Sequence, residues 1–206
     1  MRQQQTPDYG YTDAVHSHAH DYLLPHVDAM LASLNPKRVF DLGCGNGSTA
    51  AHLSQKYEVV GVDASQTGVE RAREAYPHIR FDVASAYDDL AGAYGQFDAV
   101  VSLEVVEHLY DPRLYAKNMF NLVRPGGGIV VSTPYHGYFK NIALAASGKM
   151  DKHFTALWDG GHIKFFSVDT LSTLLTEAGF VNLRFTRAGR VPALAKSMIC
   201  CARKPS

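Results

Sequence analysis

Five short apolar runs alternate with helical patterns between residues 37 and about 133, and this alternation limits the fold more than any other feature. RVFDL (38–42), EVVGV (58–62), HIRFDV (78–83), FDAVVSL (97–103) and GIVVST (128–133) are rich in the β-branched and aromatic residues of buried strands. Residues 48–57 set Ala50, Ala51, Leu53 and Tyr57 on one helical face, and Gln66–Tyr76 does the same with Val69, Ala72 and Tyr76. A third helix has Asp111 as N-cap and Pro112 at its first position. Its apolar face is Tyr115, Met119, Leu122 and Val123, and Pro125 with Gly126–Gly128 ends it. Strands alternating with helices require right-handed crossovers and a mostly parallel sheet. The tail differs. Thr170–Ala178 reads as a helix stopped by Gly179, followed by strands Phe180–Arg187 and Lys196–Arg203. Eight residues join those two strands, too few for a parallel crossover, so they pair antiparallel.

With 206 residues, 46% of them hydrophobic, the chain can bury one sizeable core but not comfortably two. Residues 1–206 therefore read as a single domain. Two segments lie outside the alternation: 1–36, an N-terminal cap, and 134–166, an insert. Ligands of open α/β sheets bind at the carboxyl ends of the strands. The insert leaves strand five at such an end, so it is expected to close over an acceptor as a lid. Lys+Arg and Asp+Glu both number 20, which gives no general pull toward nucleic acid or anionic membranes. No basic stripe appears, and runs such as IALAA and AVVSL are too short to span a bilayer. The N-terminus lacks the apolar stretch of a signal peptide. Cys44, Cys200 and Cys201, odd in number and two of them adjacent, make a poor disulfide framework. The expectation is a cytoplasmic protein whose partner is a small molecule; nothing in the chain speaks to its oligomeric state.

VFDLGCGNG places Asp41, Gly43, Gly45 and Gly47 between the first strand and the first helix of the alternation. Glycines let the backbone turn tightly and approach a ligand with no Cβ in the way. The spacing is G-x-G-x-G, whereas the dinucleotide fingerprint would need a glycine where Ser48 stands. Asp63 ends the second strand, 20 residues after Gly43, where a carboxylate can accept two hydrogen bonds from a ribose diol. Together they indicate a nucleoside ligand.

DLGCGNG, VVGVDAS, FDAVVSLEVVEHL and LVRPGGGIVVST, in that order, resemble the successive motifs of class I S-adenosylmethionine-dependent methyltransferases. The nearest resemblance is to the branch containing the ubiquinone-biosynthesis O-methyltransferases, over roughly residues 37–187. It implies an α/β Rossmann-like fold: a seven-stranded, mostly parallel sheet with an antiparallel last strand and helices on both faces. It implies S-adenosylmethionine as cofactor, with Asp41, Gly43 and Gly45 at the methionine end and Cys44 in the same turn. Asp63 would bind the ribose, Ala64 would pack near the adenine, and Leu103 and Glu104 would lie beneath the sulfonium. Relatives often carry an Asp after strand three; here Ser85-Ala86 stands in its place. Ser85, a nearby backbone carbonyl or Asp88 are the alternatives for the adenine contact. The implied activity is methyl transfer to a small molecule, O-methylation of a hydroxyl first. N- or carboxyl-methylation on the same fold and a non-catalytic cofactor-binding subunit are the rivals. Ser48 and the R-P-G-G-G turn speak against an NAD-dependent dehydrogenase.

Methyl transfer needs an in-line approach, and a hydroxyl acceptor must also lose its proton to a base or with help from a metal. Glu104, Glu107 and His108 form E-x-x-E-H. If residue 104 opens a helical turn, the i, i+3, i+4 spacing puts all three on one face. Such a set can hold a divalent cation, Mg²⁺ or Mn²⁺ ahead of Zn²⁺. By resemblance, a similar motif is a metal site in ubiquinone O-methyltransferases and small-RNA 2′-O-methyltransferases, and only shapes the floor of the site in other relatives. His162, beside Gly160 and Gly161, is a candidate base or fourth ligand, or else a helix cap; His108 is the other catalytic candidate. His16, His18 and His20 would share one side of an extended strand, read as a solvated lid segment ahead of a metal site. His136 and His153 are further acceptor-side candidates. Five aromatics of the insert (Tyr135, Tyr138, Phe139, Phe154, Trp158) are expected to pack a lid onto the core or to stack on a flat acceptor.

Overall fold

The computed structural model describes residues 18–206. In chain order the elements are α1 (His18–Leu34), β1 (Arg38–Leu42), α2 (Ser48–Leu53), β2 (Glu58–Asp63), α3 (Gln66–Ala75), β3 (Arg80–Val83), α4 (Leu90–Tyr94) and β4 (Phe97–Leu103). They continue with α5 (Pro112–Leu122), β5 (Val123–Pro134), α6 (Tyr138–Ala146), α7 (Met150–Phe154), α8 (Val168–Glu177), β6 (Val181–Ala188) and β7 (Ser197–Arg203). The strands form one sheet in the order β3-β2-β1-β4-β5-β7-β6. β1 pairs in parallel with both β2 and β4, so strand order reverses there. β7 runs antiparallel between β5 and β6, which is the reversed last strand expected from the sequence.

Each face of the sheet is covered by helices because its strands are apolar on both sides. On one face Val39, Ala99, Val101 and Val130 meet Leu23, Val27 and Leu31 of α1, Ala50 and Leu53 of α2, and Val69 and Ala72 of α3. On the other, Phe40, Leu42, Val100 and Val131 meet Leu90 of α4, Tyr115 and Met119 of α5, and Leu171 and Leu175 of α8. Burying each large side chain is worth about 1.5–3 kcal/mol.

Several boundaries follow the signals in the sequence. The Asp111 carboxylate caps α5 by accepting the Leu114 amide at 3.0 Å. Other elements depart from them. His18 and His20 lie in α1 and not in an extended strand, because the four-residue repeat Leu23-Val27-Leu31 gives α1 a helical apolar face. His16 lies outside the described residues. His20 Nε2 sits 2.8 Å from Thr49 Oγ1 and ties α1 to the start of α2. α2 is shorter than expected, since Ser54 Oγ donates to the Ala51 carbonyl at 2.9 Å where the helix ends. α8 starts two residues before Thr170, at a capping box of Ser167 and Thr170. Cys44, Cys200 and Cys201 are free and buried. Among the described residues no helix is long and apolar enough to cross a membrane.

Candidate active site

A cavity opens at the carboxyl ends of β1, β2 and β4, beside the point where strand order reverses. Of the cofactor candidates, Gly43, Asp63, Ala64, Ser85, Ala86, Leu103 and Glu104 line it. Gly43 has φ +85°, a conformation side chains rarely adopt, and a Cβ there would run into Val105 Cγ2. The Asp63 carboxylate is fixed from behind: Oδ2 accepts the Gly45 amide and Oδ1 the Ser65 amide, both at 2.8 Å.

Asp41, Cys44 and Gly45 are not in the lining. Asp41 is 1% exposed and its Oδ2 has no hydrogen-bond partner. Burial first, and then the charge of Asp63, raise its pKa to about 7. Asp88 does not reach the cavity either; its carboxylate accepts the Ser85 amide at 2.8 Å. Asn118 Nδ2 donates to the Ala86 and Asp88 carbonyls at 2.9 and 3.0 Å, which pins the loop that carries Ser85 and Ala86.

Glu104 does not open a helical turn, contrary to the expectation for E-x-x-E-H. It adopts φ +56°, and the only regular turn that follows is a 3-10 turn over Val106–His108. Its carboxylate points to the sheet: Ser132 Oγ donates to Oε1 at 2.7 Å and Ser197 Oγ to Oε2 at 3.2 Å. Burial raises the Glu104 pKa to about 7, with the two serines and Lys140 pulling the other way. The group that does converge is Glu107, His108 and His162, whose ligand-type atoms all lie within 4.8 Å of one another.

The backbone explains this convergence. The Ile163 and Lys164 amides both donate to the Glu107 carbonyl, at 2.9 and 3.0 Å, so His162 is strapped to the floor despite its distance in sequence. His108 Nδ1 lies 2.9 Å from the Gly160 carbonyl. A carbonyl only accepts, so Nδ1 carries the proton and Nε2 the lone pair. That Nε2 is 4.0 Å from Glu107 Oε1, a buried oxygen without a hydrogen-bond partner, while Thr133 Oγ1 donates to Oε2 at 3.0 Å. Burial, and then the charge of Glu104, push the Glu107 pKa well up. Burial and then neighbouring His108 lower the His162 pKa to about 4. His162 does not cap α8; Ser167 does.

The insert aromatics divide. Trp158 packs against the His108 and His162 rings at 6.0 and 5.6 Å, and Phe154 stacks on His136 at 5.9 Å. Tyr135 is buried, but Tyr138 and Phe139 are 74% and 67% exposed, so these two do not pack onto the core. His136 belongs to this aromatic cluster. His153 packs on the His136 and Phe154 rings at 5.3 and 5.1 Å, and it also lines a second cavity of about 610 Å³, together with His162, Lys140, Lys149, Arg190 and Lys196. His108, in the wall of the first cavity, and His162, in the wall of the second, have ring centres 4.9 Å apart, so the two spaces adjoin. The four cations escaped the sequence reading because they are scattered over 57 positions with no local pattern. The serine and threonine partners of Glu104 and Glu107 escaped it too; their only signal was their place on the inner ends of two strands.

A family profile described as "Methyltransferase domain" matches residues 15–184. The ubiquinone biosynthesis O-methyltransferase of Dinoroseobacter shibae is 33% identical over 174 residues, covering 77% of this chain and 68% of that protein. Its namesake from Mesorhizobium japonicum is 39% identical over 115 residues, and the match spans 46% of that relative's length. Among solved structures, the methyltransferase domain of bacterial CtHen1 superposes with a TM-score of 0.65 at 25% identity, covering 88% of this chain and 97% of that one. The magnesium protoporphyrin IX methyltransferase of Synechocystis, solved with bound S-adenosylhomocysteine, shares the fold at a TM-score of 0.68 and 19% identity, covering 88% and 82%. With the profile over residues 15–184 and a 33% identical relative across 77% of its length, the chain belongs to the class I S-adenosylmethionine-dependent methyltransferases.

Proposed function

We propose that the chain O-methylates a small hydroxylated acceptor, with the cofactor in the first cavity and the acceptor in the second. The observation that carries this is the junction of the two cavities at His108 and His162, beside the unpartnered Glu107 oxygen. The names of the sequence relatives support a hydroxyl over an amine. S-adenosylmethionine, when bound, supplies the methyl group as an electrophile. Asp63 accepts the ribose hydroxyls, and Ala64, Ser85 and Ala86 border the adenine. Leu103 and Glu104 lie under the sulfonium. The unmet Asp41 Oδ2 suits the methionine ammonium at the far end of the Gly43–Gly45 turn.

An acceptor hydroxyl must lose its proton as the methyl arrives. His162 is neutral at pH 7, but an imidazole with a pKa near 4 is poorly matched to a hydroxyl proton. Its lone pair, that of His108 Nε2 and Glu107 Oε1 instead form a donor set for one divalent cation. His108 also shows the carbonyl-backed imidazole typical of metal ligands. Two nitrogens and one oxygen favour Mn²⁺ or Zn²⁺ over Mg²⁺, and such an ion, when bound, would acidify a coordinated hydroxyl. Residues 134–166 would close over the acceptor; residues 1–17 of the N-terminal segment lie outside the described residues. Three free, buried cysteines suit a reducing compartment, the cytoplasm.

The test is turnover with protocatechuate, a catechol that also carries a carboxylate, followed as S-adenosylhomocysteine release. His162→Ala should lower the rate by about 10²–10⁴-fold and leave cofactor affinity within a few-fold. Chelator should abolish activity and added Mn²⁺ restore it. A crippled His162→Ala with an enzyme indifferent to chelator makes His162 a base. Full activity of His162→Ala would remove it from the site.

A further inference from the structure

The second cavity has apolar walls (Ala143, Leu144, Leu194) and four cations (Lys140, Lys149, Arg190, Lys196), and no carboxylate lines it. Lys140 is only 7% exposed, although it sits on an otherwise exposed turn of α6. Its Nζ donates to the Lys196 carbonyl at 3.3 Å. Lys196 Nζ lies over the Tyr22 ring, 5.2 Å from its centre. Among the described residues none of the four cations makes an ion pair. The nearest acid that Lys140 feels is Glu104, whose two oxygens are already held by Ser132 and Ser197. Burial first, and then repulsion from Arg190, push the Lys140 pKa down to about 8.

Enclosing an ammonium with like charges around it and no counter-ion is costly. The whole chain is neutral, so this cationic cluster is a local arrangement and not a consequence of composition. A ligand anion would reverse the cost. Arginine can grip an oxyanion with two parallel N–H bonds, and buried lysine adds a point charge.

We propose that the second cavity seats an oxyanion of the acceptor, a phosphate or carboxylate, on Lys140 and Arg190 while the acceptor's hydroxyl reaches His162. The substrate class is then a hydroxylated organic acid or phosphate monoester, not a neutral alcohol or phenol. This rests on the reading that the acceptor occupies this cavity.

The experiment is calorimetric titration of the protein loaded with S-adenosylhomocysteine, using phenyl phosphate, benzoate and neutral benzyl alcohol in turn. At least one anion should bind about tenfold or more tighter than the alcohol, and more weakly as salt rises. Arg190→Gln combined with Lys140→Gln should erase that preference while S-adenosylhomocysteine still binds, and Arg190→Gln alone, at an exposed position, should weaken it. The ranking of phenyl phosphate against benzoate separates phosphate from carboxylate. Benzyl alcohol binding as tightly as the anions, neither anion binding, or a preference that survives the double variant would each overturn the proposal. Failure of S-adenosylhomocysteine itself to bind would instead sink the methyltransferase reading of the first cavity.

Discussion

Asp63 is held in place by backbone amides before any ligand arrives. Gly45 and Ser65 each give it an amide at 2.8 Å, so the carboxylate needs no reorientation to meet a ribose. Asp63→Ala removes charge-assisted hydrogen bonds worth about 1.5–3 kcal/mol, and S-adenosylhomocysteine affinity should fall roughly ten- to 150-fold by calorimetry. An unchanged affinity would show that Asp63 faces something else. Asp63 and Gly43 could be read from the sequence because each marks the end of a strand within a local pattern. Glu104 could not be placed, since the spacing E-x-x-E-H assumes a helix and the chain instead takes φ +56° at residue 104. A left-handed turn at a non-glycine residue leaves no trace in spacing. Lys140 and Arg190 were invisible for another reason: they meet only after α6 and the β6–β7 connection are folded together.

At the scale of elements, the strands were readable because both faces of the sheet are covered, which makes their apolar runs continuous. α4 and α7 have five residues each, less than two turns, too short for a periodic signal. α1 was obscured by its alternating histidines, although Leu23, Val27 and Leu31 carried the helical repeat. One side chain joins three of these elements at the amino end of the sheet. Asp98 of β4 accepts the Lys37 and Arg38 amides at 2.8 Å each, and Arg124 Nε of β5 at 2.5 Å. Burial alone would raise its pKa, but these hydrogen bonds outweigh it and bring the value to about 2. A folded-state pKa below the unfolded one means that the stabilisation is complete above pH ~4 and disappears as pH falls through about 2. Asp98→Asn should therefore cost about 2 kcal/mol in denaturant unfolding at pH 7 and much less near pH 2. An equal cost at both pH values would mean that the charge of Asp98 is not what binds β1, β4 and β5.

For the whole molecule, the reversal of strand order at β1 and β4 sets the first cavity, and the insert strapped to Glu107 sets the second beside it. The first half of that arrangement was open to sequence reasoning through the glycine-rich turn and Asp63. The second half depended on Ile163 and Lys164 finding the Glu107 carbonyl, a contact between backbones that no side-chain motif announces. For a methyl group to pass from the first cavity to the second, a nucleoside bound at Asp63 must present its sulfur toward His162. A crystal structure with S-adenosylhomocysteine tests this most directly. The account predicts ribose hydroxyls within hydrogen-bond distance of Asp63, the sulfur above Leu103 and Glu104, and an open path from it to the second cavity past His108 and His162. A ribose seated away from Asp63, or a sulfur turned away from that pair of histidines, would contradict it.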